Sequence, residues 1–297
     1  MIWYVLALGS AILAACSSLI EKRTLMKEHA MEFSTVFSIL ALIVVSPLVF
    51  FADFTMPSTY WYMLALLGVL DAVAFLYLTK AIRHMELSEA SPLFTFGPAM
   101  TAILALIMLE EIITIQHISG MVLVVIGAYV LELKPHNAKA DILQPIKRII
   151  SSRYIHYILF GLLLYSLSAI IARFLLNTEN PDHVDIYAFL FLLHLFVAIT
   201  FLVFISVFHD GIKGIVHGMR SAGRWIFLTA IFLVASRFLL SLTFAIPGAQ
   251  VALTLSIKRL SSLFSTIFGG EIFKDKNLGR KVLACIIMVI GAIIVVL

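Results

Sequence analysis

The sequence predicts an all-α integral membrane protein with ten transmembrane helices in two inverted five-helix repeats. Its 297 residues are 62% hydrophobic and only 13% charged, with a mean hydropathy of +1.08. Soluble domains carry about 25% charged residues, so the chain lies outside their range. Its apolar residues also form ten long runs, and its two halves resemble each other. The composition excludes a cytosolic enzyme, a secreted domain held by disulfides, and a nucleic-acid-binding protein despite a pI near 9.0.

The ten apolar runs give the predicted element order. A helix needs about 20 mostly apolar residues to cross a hydrocarbon core about 30 Å thick. Asp, Pro, Gly and Asn punctuate the breaks between the runs, as in ADFTMPST and NTENPDHVD. The predicted spans are residues 2–20, 33–52, 59–82, 91–109, 114–133, 154–176, 184–208, 225–245, 248–269 and 277–297.

The connection between the fifth and sixth spans divides the chain. It covers residues 134–153, and its 20 residues are too few for a soluble domain. We therefore predict a first repeat over residues 1–133, a cytoplasmic linker over 134–153 and a second repeat over 154–297.

The sequence LAAC ending at Cys16 is similar to a lipoprotein cleavage site. However, no Lys or Arg precedes the first apolar run, so we expect a span rather than a signal peptide.

The basic residues predict the orientation in the membrane. Of the 21 Lys and Arg residues, 17 lie in the connections after spans 1, 3, 5, 7 and 9 or at the span ends beside them. Beside the alternate connections lies Arg173 alone, and Arg237, Lys258 and Arg259 lie deep within spans. Cytoplasmic connections carry an excess of Lys and Arg, so these counts place both termini outside. We expect a multi-pass protein of the cell (inner) membrane.

An internal repeat relates the two halves. The segment SPLFTFGPAMTAILALIMLEEI in the first half resembles VALTLSIKRLSSLFSTIFGGEI in the second. Aligning Glu111 with Glu271 puts Pro98 opposite Lys258. Five spans per half is an odd number, so the two halves would have opposite orientations. Inverted repeats are typical of secondary transporters that bind substrate at mid-membrane.

Small residues recur at the same place in spans 5 and 10. Gly120 and Gly127 are seven residues apart in the first half, as are Ala284 and Gly291 in the second. Small side chains let helix backbones approach closely within a membrane. We expect both spans to use these positions for close helix packing.

These motifs resemble the EamA type of the drug/metabolite transporter superfamily. The shared pattern is a fourth span with Pro98 and a terminal Leu-Glu-Glu, then a fifth span with Gly-x6-Gly, repeated in degenerate form. The resemblance covers essentially the whole chain and implies ten helices in two inverted repeats around a central cavity. Members move amino acids, drugs, sugars, nucleotide sugars or phosphorylated metabolites. They are often assigned cytoplasmic termini, which conflicts with the charge count, and we follow the charge count.

Four charged residues lie deep in the predicted spans. Asp71 is near the middle of span 3, and Arg237 is near the middle of span 8, its repeat partner. Lys258 and Arg259 lie in span 9. Each charge at the bilayer centre costs about 2.5–3.5 kcal/mol on insertion scales, so these groups must face one another or a wet cavity. For Asp71 and Arg237 two roles are open, a structural ion pair or a part in gating and substrate contact.

Polar residues form a stripe along span 9. Gln250, Thr254, Lys258, Ser261 or Ser262, and Ser265 recur every three or four residues, which places them on one helix face. We expect this face to line the cavity and Lys258 to contact substrate.

Span 4 carries a fainter stripe of polar residues. It consists of Ser91, Thr95, Pro98 and Thr101, and Gly97-Pro98 can kink the helix.

His194 in span 7 is expected to be a hydrogen-bonded core residue. The helix-end acids Glu110, Glu111 and Glu271 are expected to mark the membrane boundary.

The dipeptide Lys258-Arg259 carries a narrower resemblance. Triose-phosphate translocators, a branch of the same superfamily, have an adjacent Lys-Arg at the comparable place, which holds the substrate phosphate. By this resemblance Lys258 and Arg259 would hold phosphate or carboxylate, for which ammonium and guanidinium groups are strong partners. The candidate substrate-binding residues are Lys258, Arg259, Asp71, Arg237, Gln250, Thr254, Ser261 and Thr95.

The leading hypothesis is a secondary transporter whose cavity binds a small organic anion, phosphorylated compounds included. The alternative is a proton-coupled exporter of drugs or amino acids, ranked lower because predicted spans 1 and 6 contain no carboxylate. An enzyme is disfavoured because no HExxH motif occurs and no second acid lies near Asp71. A structural or accessory subunit is also disfavoured, because such a protein has no need to keep buried charges. We expect no cofactor, no metal and no nucleic acid, but a small-molecule substrate, a lipid bilayer, and a monomer or homodimer.

Overall fold

The structure, a computed structural model, describes residues 2–109, 115–132, 151–178, 182–246, 254, 257–258 and 260–294. Within these ranges the chain is helical and contains no β-strand. A short 3₁₀ helix, Ser46–Phe51, extends the second α-helix. The α-helices are α1 (Ile2–Leu25), α2 (Ala30–Val45), α3 (Ser58–His84), α4 (Leu87–Leu93), α5 (Phe96–Leu109), α6 (Ile115–Glu132), α7 (Arg153–Leu176), α8 (Ile186–Phe208), α9 (Ile212–Ala245), α10 (Leu260–Ile272) and α11 (Leu278–Ile294).

Six helices in the described ranges are long and apolar enough to cross a membrane. They are α1, α2 with its 3₁₀ extension, α3, α7, α8 and α9. Helices α5, α10 and α11 are shorter, at 14, 13 and 17 residues. The predicted all-α, multi-pass class is confirmed, whereas the count of ten spans and the inverted repeats stay predictions.

Helix α9 begins earlier than predicted. It starts at Ile212 instead of residue 225 and is 34 residues long. At 1.5 Å per residue it extends about 50 Å, well beyond a hydrocarbon core of about 30 Å. The first turns, with Lys213, Arg220 and Arg224, are too polar for the bilayer but contain no proline. The helix therefore continues outside the apolar region.

Two other helix boundaries also differ from those predicted. Helix α1 continues past residue 20 to Leu25, because Glu21 and Lys22 are good helix formers and a charge alone does not end a helix. Span 4 is divided into α4 and α5 by a turn at Phe94. Pro98 accounts for that turn, because a proline clashes with the carbonyl four residues earlier and cannot donate to it.

One end of the bundle brings together connections that are distant in sequence. Lys22 donates hydrogen bonds to the carbonyl oxygens of Ile82 at 2.7 Å and Met85 at 2.6 Å. Lys281 forms an ion pair with Glu86. The connections after α1 and α3 and before α11 therefore lie at the same end, here named the basic end.

Other connections meet at the opposite end. The Asp53 backbone N–H donates to the Asp185 carboxylate at 3.4 Å, and the Thr178 hydroxyl donates to the Ala245 carbonyl at 3.0 Å. The lone basic residue of the alternate connections, Arg173, donates to the Phe244 carbonyl there. Successive long helices thus run in alternating directions through the described part of the bundle.

Helix packing brings the two sequence halves together. Helix α1 packs along α9, and α3 packs along α7. Likewise α2 packs on α9 while α3 packs on α8, and α1 packs on α10 while α5 packs on α7. Helices α2 and α8 contact each other, as do α6 and α11. Every long helix of one half therefore contacts the other half.

Helices α6 and α11 pack with their backbones in contact. A Cβ atom on Gly127 would lie 2.3 Å from Met288 Cγ. A Cβ atom on Gly291 would lie 2.8 Å from both the Gly120 carbonyl oxygen and the Val124 nitrogen. The expectation that these small residues allow close packing is confirmed, since no side chain fits at either glycine without displacing its neighbours.

Candidate substrate cavity

A cavity of about 220 Å³ lies between the two halves of the chain. Helices α1, α3, α5, α7, α8, α9 and α10 contribute to its wall, which is mainly apolar. A mainly apolar concavity with a few converging polar groups is the usual form of a small-molecule site. Its polar lining side chains are Ser18, Glu21, Asp71, Thr101, Tyr165, Ser166, Ser168, Arg237, Ser241, Lys258 and Ser261.

An ion pair between the two halves crosses this cavity. Arg237 Nη1 on α9 is 2.6 Å from Asp71 Oδ2 on α3. The Asp71 side chain is 5% exposed and the Arg237 side chain 21%. On α7, the Ser168 hydroxyl donates to Asp71 Oδ1 at 2.5 Å, and Tyr165 also lines the cavity. The structure thus forms the ion pair that was one of the two roles predicted for these residues.

Lys258 and Ser261 reach the same cavity from the other side. Both belong to the polar stripe predicted for span 9, and both are partly buried. The cavity therefore holds a second basic side chain besides Arg237, together with a hydroxyl group that could share a bound oxygen atom with it.

The rest of the predicted stripe does not line the cavity in the described ranges. Thr254 is fully buried, and its hydroxyl has no hydrogen-bond partner among the described residues. Gln250 and Arg259 lie outside the described residues. Their predicted contacts with substrate therefore stay predictions.

On the first half, Thr101 lines the cavity and Thr95 does not. Thr95 is buried at the turn between α4 and α5, where its hydroxyl donates to the Pro92 carbonyl at 2.7 Å. Thr101 donates to Ser166 at 3.0 Å across the boundary between the halves. The Thr95 hydroxyl is therefore satisfied within the turn, whereas the Thr101 hydroxyl connects the two halves.

Glu21 is a cavity residue that the sequence analysis missed. It lies on α1, is 6% exposed, and accepts a hydrogen bond from the Thr79 hydroxyl at 3.3 Å. The expectation that span 1 carries no carboxylate was wrong, because the predicted span ends at residue 20 whereas the helix continues to Leu25. The signal available was the continuous helix-forming run SSLIEKR.

Comparison with known proteins bears on the first half of the chain. Residues 1–133 match the sequence model of the EamA-like transporter family. The first half is thus similar to EamA-like transporters, and residues 1–133 are here named the EamA-like domain. The match confirms the predicted resemblance over residues 1–133, and its extension to the second half stays a prediction. Because this family consists of transporters, the match agrees with a membrane transporter and not an enzyme.

Solved structures add information on the fold of the whole chain. A crystal structure described only as that of a protein superposes with a TM-score of 0.62 at 14% sequence identity. The match covers 99% of this chain and 96% of that one, so both halves share its fold. The search of curated protein sequences found no significant match.

The EamA-like domain contributes the two acids of the cavity, and the second half contributes the two bases. The acids are Glu21 and Asp71, and the bases are Arg237 and Lys258. Of the four charged residues that lie deep in the predicted spans, three are basic and one is acidic. Among the described lining residues of the cavity, two are basic and two are acidic, because Glu21 joins Asp71.

The remaining polar groups near the EamA-like domain have local partners. His194 on α8 is buried, and its Nδ1 is 2.8 Å from the Leu190 carbonyl oxygen, as expected of a core histidine. Glu271 is exposed at the end of α10, in line with its expected boundary position. Glu110 and Glu111 lie outside the described residues.

Proposed function

We propose that the chain is a secondary transporter that moves a small organic anion, phosphorylated metabolites included, by alternating access. The observation that supports this proposal is the position of Lys258, which lines the cavity together with Arg237. Arg237 pairs with Asp71 at 2.6 Å, and Lys258 is a second basic side chain in the wall of the same cavity. A carboxylate or phosphate could be held by the Lys258 ammonium and the Ser261 hydroxyl on the same wall.

The inverted-repeat architecture is part of the proposal. If α1, α2, α3, α5 and α6 correspond to α7, α8, α9, α10 and α11, the main packing contacts between the two halves have counterparts. The contact of α1 with α9 becomes that of α7 with α3, and the contact of α2 with α9 becomes that of α8 with α3. The contacts of α2 with α8 and of α6 with α11 map onto themselves. This exchange symmetry supports two repeats over residues 1–133 and 154–297, rocking about a shared cavity.

The orientation is proposed from the charge count. The residues of the basic end include Lys22, Lys281 and the polar start of α9, and they belong to the connections with the excess of Lys and Arg. Their association at one end supports a cytoplasmic basic end with both termini outside. We propose the cell (inner) membrane as the location, and a monomer or homodimer as the assembly.

A thermal-shift screen tests the choice of substrate class. The purified protein is heated with panels of carboxylates, phosphorylated metabolites, neutral amino acids and cationic drugs. A ligand that binds the folded state raises its apparent stability by mass action. We expect stabilisation by the anionic panels, and that stabilisation should be lost in Lys258→Gln. Stabilisation by cationic compounds alone would overturn the proposed anion selectivity.

The alternative function is proton-coupled export of drugs or amino acids, and Glu21 is the observation that favours it. A carboxyl group in a largely apolar wall, with one hydroxyl partner at 3.3 Å, can gain and lose a proton as the cavity changes its access to water. Asp71 is less suited to that task because Arg237 and Ser168 already occupy its two carboxylate oxygens.

A further inference from the structure

A separate cluster of ligating side chains lies at the basic end, away from the cavity. It consists of Glu28 in the connection between α1 and α2, Glu32 in the first turn of α2, and His217 on α9. His217 Nδ1 is 3.0 Å from Glu32 Oε2 and 3.8 Å from Glu28 Oε2. One ligand atom from each residue lies within 4.8 Å of the other two. The cluster therefore brings three potential metal ligands from the two halves of the chain to one point.

Burial makes Glu28 the distinctive member of this cluster. Its side chain is 3% exposed, and its Oε2 atom has no hydrogen-bond partner among the described residues. Its other oxygen accepts a hydrogen bond from the Ser221 hydroxyl. A buried carboxylate oxygen needs a positive or hydrogen-bonding partner. Within 4 Å of either glutamate, the described part of the chain supplies His217 as the basic group.

Close packing of α9 on α2 brings Glu32 and His217 together. Gly214 and Gly218 stand on either side of His217 along α9, and both face α2. A Cβ atom on Gly214 would lie 3.4 Å from Glu32 Cγ, and one on Gly218 would lie 3.2 Å from Val36 Cγ2. The absence of side chains at these two positions lets α9 approach α2 closely enough for His217 to reach Glu32.

We propose that Glu28, Glu32 and His217 form a binding site for a divalent transition-metal ion, with Zn²⁺ as the preferred ion. Zinc binds imidazole nitrogen and carboxylate oxygen at about 2.0–2.2 Å, so two ligands at a tetrahedral angle are about 3.4 Å apart. The distances of 3.0 and 3.8 Å from His217 Nδ1 bracket that value. The His217 side chain is 66% exposed, which leaves room for water to complete the coordination.

The ligand set selects against other common cations. Mg²⁺ and Ca²⁺ prefer six or more oxygen ligands, whereas an imidazole with two carboxylates suits zinc and its neighbours in the transition series. The bound ion would join the α1–α2 connection to α9, and so would link the EamA-like domain to the second half at the basic end. The site needs no substrate, and its test is therefore independent of the proposed transport function.

A neighbouring group provides an internal control. His209 and Asp210 could also combine with Glu32, and His209 Nδ1 is buried without a hydrogen-bond partner in the described ranges. Asp210, however, is 72% exposed and 3.6 Å from His209 Nδ1, so it can be satisfied by water. We therefore place the ion with Glu28, Glu32 and His217. Metal binding by His209→Ala distinguishes this site from the alternative formed by Glu32, His209 and Asp210.

The test is equilibrium binding of ZnCl₂ to the purified full-length protein in detergent, with bound metal measured by mass spectrometry and affinity by calorimetry. We expect one Zn²⁺ per chain and much weaker binding of Mg²⁺. Glu28→Gln and His217→Ala should each weaken zinc binding at least tenfold. His217→Cys should retain it, because a thiolate is also a zinc ligand. The matched control His156→Ala, which removes an exposed histidine on α7, should change nothing.

Three results would overturn the site. One is zinc affinity unchanged in both Glu28→Gln and His217→Ala, and another is loss of binding in His209→Ala with retention in His217→Ala. The third is equal binding of Mg²⁺ at the same residues. Metal-free melting curves of every variant show whether it is folded, and His217→Ala, which alters an exposed side chain, keeps the test valid if Glu28→Gln does not fold.

Discussion

The Asp71 carboxylate and the Arg237 guanidinium meet at 2.6 Å, and each comes from a different half of the chain. One lies on α3 within the EamA-like domain, and the other lies on α9, whose packing partners include α1 and α2. Ser168 holds the second Asp71 oxygen from α7. The pair therefore ties three helices together at the wall of the cavity, and any change in cavity shape must move or break it.

Removing one partner of this pair should destabilise the protein more than removing both. Asp71→Asn or Arg237→Gln alone leaves a buried charge without its partner, which costs about 3–5 kcal/mol in comparable buried pairs. The double variant leaves no such charge and should lose less. Thermal and denaturant unfolding of the three variants in the same detergent measures the coupling.

Ser168→Ala provides the control for that comparison. It removes one charge-assisted hydrogen bond to Asp71 and should cost about 1.5–3 kcal/mol. Losses from Asp71→Asn and Arg237→Gln that simply add in the double variant would argue against a direct interaction between the two side chains.

Lys258→Gln should abolish transport of an anionic substrate while preserving the fold. Removing a charge from a membrane helix makes insertion easier, so the variant should still assemble. Uptake into proteoliposomes of the anion found in the thermal-shift screen measures the effect. Lys213→Gln, which removes an exposed lysine from the start of α9, is the matched control and should transport normally. Normal uptake by Lys258→Gln as well would make the alternative exporter function the better one.

Glu21→Gln tests proton coupling. Glutamine preserves the shape of the side chain and its contact with Thr79 but cannot release a proton. If Glu21 carries the coupling proton, we expect wild-type transport to respond to an imposed pH gradient and the variant to lose that response. Glu271→Gln alters an exposed acid and should respond like wild type. Identical responses of wild type and Glu21→Gln would remove Glu21 from the mechanism.

Alanine at the contact between α6 and α11 should destabilise the protein. In Gly291→Ala the new methyl group would meet backbone atoms at 2.8 Å, which cannot move aside as a side chain can. Overpacking of this kind typically costs about 1–3 kcal/mol. Gly279→Ala introduces the same methyl group where nothing lies within 4 Å, and it should have little effect. Melting temperatures of the two variants measure the difference, and equal melting temperatures would show that the helices are not in backbone contact.

Cysteine accessibility tests the orientation. A cysteine at position 136, within the predicted linker, should react with an impermeant thiol reagent only from the cytoplasmic side. A cysteine added at the C-terminus should react only from outside. The native Cys285 is buried and Cys16 is partly buried, so an unmodified chain supplies the background. Labelling of the terminal cysteine from the cytoplasm alone would reverse the proposed orientation.

Charges inside apolar runs were the most informative feature of the sequence. Asp71, Arg237 and Lys258 stand out because each is costly in a bilayer, and all three line one cavity in the structure. The small residues of spans 5 and 10 were also informative, because Gly127 and Gly291 make close contacts between α6 and α11. In both cases a strong physical constraint acts on a single residue and can be recognised without knowing its partner.

Residues at the ends of helices were harder to interpret. Glu21 lies where an apolar run gives way to EKR, and hydropathy alone does not show whether such a carboxyl faces water or a cavity. The polar stripe of span 4 includes Thr95 only if that span is one continuous helix. The break at Phe94 interrupts the helix, so the side chain of Thr95 no longer shares a face with Thr101. Glu32 and His217 are 185 positions apart, so their 3.0 Å contact depends on packing that no local pattern encodes.

The backbone contact between α6 and α11 restricts how the molecule can flex. None of the described residues of these two helices line the cavity. Two helices whose backbones touch at glycines can rotate slightly against each other. Separating them would leave a gap that no side chain can fill. We therefore expect α6 and α11 to move as one unit. Under the proposed alternating access, α1, α3, α7 and α9 would change position relative to that unit as the cavity opens to either face of the membrane.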